Sequence, residues 1–155
     1  MAGKIDAKLK ELGITLPEAA APVAAYVPAV LTGNLLVVSG QVTMDSGKLA
    51  YVGKVGVEFS LEEGKAAARL CALNILAQAK AALGGDLDRI TRVVKLQGFV
   101  NCPGDFTQHP EVINGASELM LDVFGDAGRH ARVALGAGSL PRGVACEVDA
   151  MFEVA

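Results

Sequence analysis

The residues with the most chemistry to offer lie in the last quarter of the chain. Arg132 stands in Gly128-Arg129-His130-Ala131-Arg132-Val133-Ala134-Leu135-Gly136, and Glu147 and Asp149 stand in Ala145-Cys146-Glu147-Val148-Asp149-Ala150. Both runs read as apolar strands, separated by a turn around Leu140-Pro141. A guanidinium presents a planar fork of donors that fits a carboxylate through two parallel hydrogen bonds. A glutamate can orient a water or accept its proton. Acidic residues are seldom fully buried without a partner, and a strand interior is a poor place for an idle charge. An arginine and a glutamate on neighbouring strands therefore define a small anion-and-water site. The residue types leave a second reading open, in which Arg132 makes a structural ion pair with Glu147 or Asp149. Two-residue alternation puts Asp149 on the face of Glu147, where a structural role is expected for it. By the same alternation His130 shares the face of Arg132, either as an acid or as a filler of space.

The other reactive side chains are scattered. Cys71, Cys102 and Cys146 form no CxxC pair and no disulfide framework. Cys71 and Cys146 are expected as small core residues. Cys102, in the turn-like Asn101-Cys102-Pro103-Gly104, is expected to be the accessible one. His109 precedes Pro110 near a helix start and reads as surface. His109 and His130 are the only imidazoles and share no metal-ligand spacing with the cysteines, so no metal site is expected. Arg129 and Arg142 read as solvated or interfacial. No Ser/His/Asp triad or phosphate loop emerges.

Composition narrows the class. The chain has 155 residues, 52% hydrophobic and 20% charged, which suits a single folded domain spanning 1–155 with a substantial core. No apolar run reaches the roughly 18–20 residues of a membrane span. Met1 to Gly13 mixes Lys4, Lys8 and Lys10 with Asp6 and Glu11, unlike a secretion signal or transit peptide. A cytoplasmic protein without membrane partners is expected. The net charge is −3, the only arginine cluster is Arg129, Arg132 and Arg142, and Trp is absent. Nucleic acid is therefore not expected as a partner.

These side chains need elements to position them. Ile5, Leu9 and Leu12 mark one face of a short helix stopped by Gly13, within a helical extension over residues 1–16. Tyr26–Leu31 and Leu35–Ser39 read as strands joined by Thr32-Gly33-Asn34. Asp45-Ser46-Gly47-Lys48 reads as a turn. Ser60-Leu61-Glu62-Glu63 is a capping box; the small and apolar residues behind it recur at helical spacing as far as Gly84-Gly85. Ile90–Val100 is expected as a strand. Asp105, with Gln108 in the reciprocal position, is expected to cap a second helix lined by Ile113, Ala116, Met120 and Phe124 and ended by Gly125. Strands over Ala131–Leu135 and Cys146–Val154 close the chain. The economical arrangement is α+β, a mixed sheet with both helices packed on one face. The uncovered face, rich in apolar residues, is expected to bury against other subunits.

Taken together, these residues resemble the Rid family of reactive intermediate deaminases, also called the YjgF family. The matching elements are Tyr26-Val27, Gly33-Asn34, Val38-Ser39-Gly40-Gln41, Asp105-Phe106, Asn114, Ala131-Arg132, Leu140-Pro141 and Glu147-Val148-Asp149-Ala150. They run in family order from Tyr26 to the end. The resemblance implies the chorismate-mutase-like Rid fold, assembled as a homotrimer with a central β-barrel and clefts between subunits. It implies hydrolysis of 2-imino acids and their enamine tautomers to 2-oxo acids and ammonia, with water as co-substrate and no cofactor. Arg132 matches the arginine that binds the substrate carboxylate, and Glu147 the glutamate that positions water. Asn114 and Tyr26 match the cleft asparagine and tyrosine, and Gly40 falls in the segment lining the cleft. Two matches depart from the family pattern. His130 replaces a usual proline, and Ala134 stands where Cys or Ser is common. With the N-terminal extension, these mark a divergent branch.

The leading expectation is a trimeric 2-imino acid deaminase, with Arg132, Glu147 and Asn114 catalytic and Tyr26, Gly40, Ala134 and His130 beside Arg132 in substrate binding. The alternative is a noncatalytic trimer whose Arg132 cleft holds a 2-oxo acid or another small carboxylate. RNA cleavage, also attributed to the family, sits poorly with the acidic balance.

Overall fold

A computed structural model describes residues 3–22 and 24–155; Met1 and Ala2, at the start of the expected extension, lie outside them. The elements are α1 (Lys4–Glu11), β1 (Ala29–Thr32), β2 (Leu35–Gln41), β3 (Met44–Asp45), β4 (Lys48–Leu49), α2 (Leu61–Ala82), β5 (Ile90–Asn101), α3 (His109–Phe124), β6 (Ala131–Ala137) and β7 (Cys146–Val154). One five-stranded sheet has the order β1-β2-β7-β5-β6, and β3 and β4 form a separate small hairpin. All neighbours in the large sheet are antiparallel except β5 and β6, which run parallel. A parallel pair needs a crossover; α3 provides it and so lies over the two strands it connects.

The helices form where the local signals place them. Ser60 Oγ accepts from the Glu63 N–H at 3.2 Å and a Glu63 carboxylate oxygen accepts from the Ser60 N–H at 3.1 Å, so α2 opens on a complete capping box. It ends before Gly84 and Gly85, both in the left-handed region. The start of α3 differs from expectation. The helix begins at His109 after Gln108, with no side-chain cap, and Pro110 occupies its first turn, where a missing N–H leaves no hydrogen bond unmade. Asp105 lies outside it. The first strand is also shorter than expected. Tyr26 sits in a bend, and β1 starts only after Pro28, which has no N–H to give a ladder.

Leu36 and Val38 of β2, Val93, Leu96 and Val100 of β5, and Val148, Ala150 and Phe152 of β7 are all essentially fully buried. They share the core with Ala68, Cys71 and Ile75 of α2 and Val112, Ile113, Ala116 and Met120 of α3. Both long helices therefore cover one face of the sheet. They cross closely at Gly115, where a Cβ would collide with the backbone carbonyl of Lys65. The opposite face carries Val30, Val37, Met151, Lys95, Gln97, Asp149, Phe99 and Glu147 in adjoining rows.

Helix α1 is tied to the main body through its first turn. Asp88 accepts from the N–H groups of Lys4 and Ile5 at 2.8 Å each, capping the helix from a distant segment. Asp6 pairs with Lys80 of α2 at 2.8 Å.

Candidate functional site

The expected site residues fall into two clusters on opposite faces of the sheet. The first surrounds Arg132. In β6 it stands opposite Leu96, a fully buried core residue, so its side chain leaves the sheet toward α3. There Nη1 donates to Asn114 Oδ1 at 2.7 Å and to Ser117 Oγ at 3.1 Å. Both Nη1 protons are thereby used, and among the described residues Nε and Nη2 have no protein acceptor. Those atoms form the side-on edge of the fork, the geometry suited to a carboxylate. His130 joins the same cluster, with Nε2 2.8 Å from Ser117 Oγ and Nδ1 2.6 Å from the carbonyl of Gly128. Ala134 follows Arg132 on the same face and packs, partly buried, against the core.

The second cluster surrounds Glu147. In β7 it stands opposite Phe99, on the face the helices leave open. A cavity of about 370 Å³ is lined there by Tyr26, Gly40, Gln41, Arg142 and Glu147. Gly40 is required by closeness rather than by backbone strain. A Cβ there would lie 2.6 Å from Glu147 Oε1. Burial, and then the like charge of Asp149, push the Glu147 carboxyl above its ordinary pKa. Burial also raises Asp149, against an opposing pull from Lys95. Two buried residues of α2, one turn apart, hold the rim. Gln78 donates to the carbonyl of Ala20 at 2.7 Å, and Asn74 donates to the carbonyl of Met44 at 2.9 Å.

The structure thus brings Arg132, Asn114, His130 and Ala134 together, and separately Glu147, Gly40 and Tyr26. It does not bring the two groups together within one chain. Within one chain Arg132 makes no ion pair with Glu147 or Asp149, for the same reason. Glu147 and Asp149 lie across the sheet from it, and its two hydrogen-bond partners, Asn114 and Ser117, are neutral. Ser117 was not anticipated. Its signal is its position three residues after Asn114, which puts both on one helix face.

Two further expectations are corrected. Cys102 is buried, 5% exposed, because its turn folds under the end of β6. His109 is half-buried against it, with Nε2 3.5 Å from Sγ and its ring edge-on to Phe106. Gly136 makes room for this pair. Burial raises the Cys102 thiol pKa and takes that of Cys146 up to about 12, so neither is a thiolate at neutral pH. Among the described residues, no three His, Cys, Asp or Glu side chains gather as a metal site, and no helix is long and apolar enough to cross a membrane.

Fold and site define a class: an α+β protein whose covering helix holds an arginine fork at the edge of a mixed sheet. A family model described as "YjgF/chorismate mutase-like, putative endoribonuclease" matches residues 6–154, and the chain belongs to this YjgF/Rid family. It is 50% identical to "Protein TCP17" of Trypanosoma cruzi over 98% of this chain and 95% of that one. It is 52% identical to a protein of unknown function from Agrobacterium tumefaciens whose crystal structure superposes with a TM-score of 0.92, covering 98% of this chain and 93% of that one. The YjgF gene product of E. coli is 25% identical, with a TM-score of 0.63 over 88% of this chain and 93% of its own. In sequence this chain is more similar to the first two, and in structure to the second of them, than to E. coli YjgF.

Proposed function

We propose that the protein hydrolyses small 2-imino acids, and their enamine tautomers, to 2-oxo acids and ammonia. The observation that carries this reading is the Arg132 fork, anchored through Nη1 alone with its carboxylate-binding edge free. The substrate carboxylate docks on Nε and Nη2, which fixes the adjacent C=N carbon in place. Glu147 orients a water toward that carbon. As the O–C bond forms, the C=N electron pair moves to nitrogen. Glu147 takes one water proton and returns it to the nitrogen; the carboxylate so regenerated then takes the hydroxyl proton of the carbinolamine as the C=O forms and the C–N bond breaks, releasing ammonia. An iminium carbon is already electrophilic, so positioning contributes more than strong base catalysis. A carboxyl held above its ordinary pKa is nonetheless better matched to shuttling a proton near neutrality.

Arg132 and Glu147 lie on opposite faces of one sheet, so the complete site needs two chains. In the proposed homotrimer, the Arg132 cluster of one subunit meets Tyr26, Gly40 and Glu147 of the next, and the open sheet faces close into a central barrel. The proposed protein is cytoplasmic, one domain with residues 1–16 as a helical extension, and needs no cofactor.

The test is release of 2-oxo acid from 2-iminobutyrate and 2-aminoacrylate generated in situ. Wild type is expected to accelerate it over buffer, and a folded Arg132→Ala variant is expected to lose that acceleration. One observation favours a second reading. Ala134, two residues beyond Arg132, gives the anchor no hydroxyl or thiol neighbour. Thermal stabilisation by 2-oxobutyrate without any turnover would establish a noncatalytic carboxylate binder instead.

A further inference from the structure

The hydrogen bonds around Arg132 form a chain whose proton positions are dictated by its two ends. Arg132 Nη1 can only donate, so Ser117 Oγ accepts from it at 3.1 Å. The carbonyl of Gly128 can only accept, so the proton at its 2.6 Å contact belongs to His130 Nδ1. In the neutral imidazole, Nε2 is then an acceptor, and the Ser117 hydroxyl, 2.8 Å away, donates to it. Every member is satisfied once and no proton is contested. Ser117 is 9% exposed, so its hydroxyl has little access to competing water. Gly128 is fixed in turn, because a Cβ there would collide with the backbone carbonyl of Met120 at the end of α3.

From this chain we infer that Ser117 and His130 are positioning residues for Arg132. The Nδ1–H tautomer of His130, set by Gly128, directs the Ser117 hydroxyl away from the arginine. The Ser117 lone pair is thereby committed to Nη1, and rotation of the guanidinium about its Cζ–Nε bond is blocked. Asn114 holds the other Nη1 proton. The fork is thus presented with its Nε–Nη2 edge outward before any ligand arrives, and the ligand does not have to order it. His130 acts two hydrogen bonds away from Arg132 and gives the substrate no proton.

This inference rests on reading Arg132 as a carboxylate anchor, so one of its two measurements needs no ligand. In nitrogen-15 NMR of the wild type, His130 is expected as the Nδ1–H tautomer, and the Arg132 guanidinium is expected to show hindered rotation. Ser117→Ala and His130→Leu are expected to release that rotation. Ser117→Thr and His130→Gln, which keep a hydroxyl and an acceptor in place, are expected to retain it. In calorimetry with 2-oxobutyrate, the two disruptive variants are expected to bind about tenfold more weakly, the scale of one lost hydrogen bond to a charged group, and the two conservative ones near wild type. An Nε2–H tautomer, or rotation unchanged in both disruptive variants, would overturn the inference. Wild type that shows the expected NMR behaviour but no Arg132-dependent binding would instead overturn the anchor reading and leave the hydrogen-bonded chain standing.

Discussion

At the scale of single residues, the two carboxyls of β7 give the sharpest expectations. Glu147 and Asp149 both have folded pKa values above their ordinary ones. A raised carboxyl favours the folded state when protonated. Its contribution is complete below the unfolded pKa and is lost as pH rises through the folded pKa. Asp149→Asn, permanently neutral, is therefore expected to be more stable than wild type near pH 7.5. In urea denaturation the two midpoints are expected to converge below about pH 4, near the ordinary aspartate pKa. The same substitution removes the charge that helps to raise Glu147, so the acidic limb of the pH–rate profile is expected to move to lower pH. Gly40 makes a different point. Its backbone is not in the left-handed region, and it is needed because Glu147 occupies the space a Cβ would take. Gly40→Ala is expected to leave the fold intact by circular dichroism while activity falls about 10²-fold through displacement of Glu147, a loss within the range for a general base.

At the scale of elements, the site depends on how closely α3 approaches α2 and the sheet, because α3 carries both Asn114 and Ser117. Gly115→Ala would force a methyl against the Lys65 backbone, which cannot turn aside as a side chain can. A loss of about 1–3 kcal/mol in unfolding free energy is expected, together with weaker 2-oxo acid binding as α3 shifts. Much of this level was legible beforehand. The capping box at Ser60, the paired glycines after α2, Gly125 after α3 and the last two strands are local signals, and each marks an element boundary to within a residue or two. The misses were tertiary. Asp105 looked like a cap because Gln108 stands in the reciprocal position, yet the chain stays irregular until Gln108 and places Phe106 and His109 over Cys102. Tyr26 looked like strand, but the ladder starts beyond Pro28.

At the scale of the whole molecule, alternation correctly put Glu147 with Asp149 and His130 with Arg132. It had no means of telling which of those pairs would face the helices. That is decided by α3 crossing over β5 and β6, a non-local event, and it is why the two halves of the site were readable while their separation was not. The proposed assembly then has two consequences. Light scattering of the purified protein is expected to give three times the 15.9 kDa chain mass, and a monomer at micromolar concentration would sink the shared cleft. Mixing inactive Arg132→Ala with inactive Glu147→Ala, after dissociation and reassembly, is expected to restore about one quarter of wild-type activity. In a cyclic trimer each cleft draws one half from each of two neighbours, and random mixing pairs two intact halves in about one cleft of four.

The placement of Arg132 and Glu147 on opposite faces also bears on inheritance. In such a trimer no chain uses its own pair, so a single subunit lacking one half disables one cleft of three, and a single subunit lacking both disables two. Two differently damaged alleles in one cell would complement each other. A doubly damaged allele would instead act against the sound copy beside it, and the harm done by a mutation would depend on which subunits happen to assemble with it.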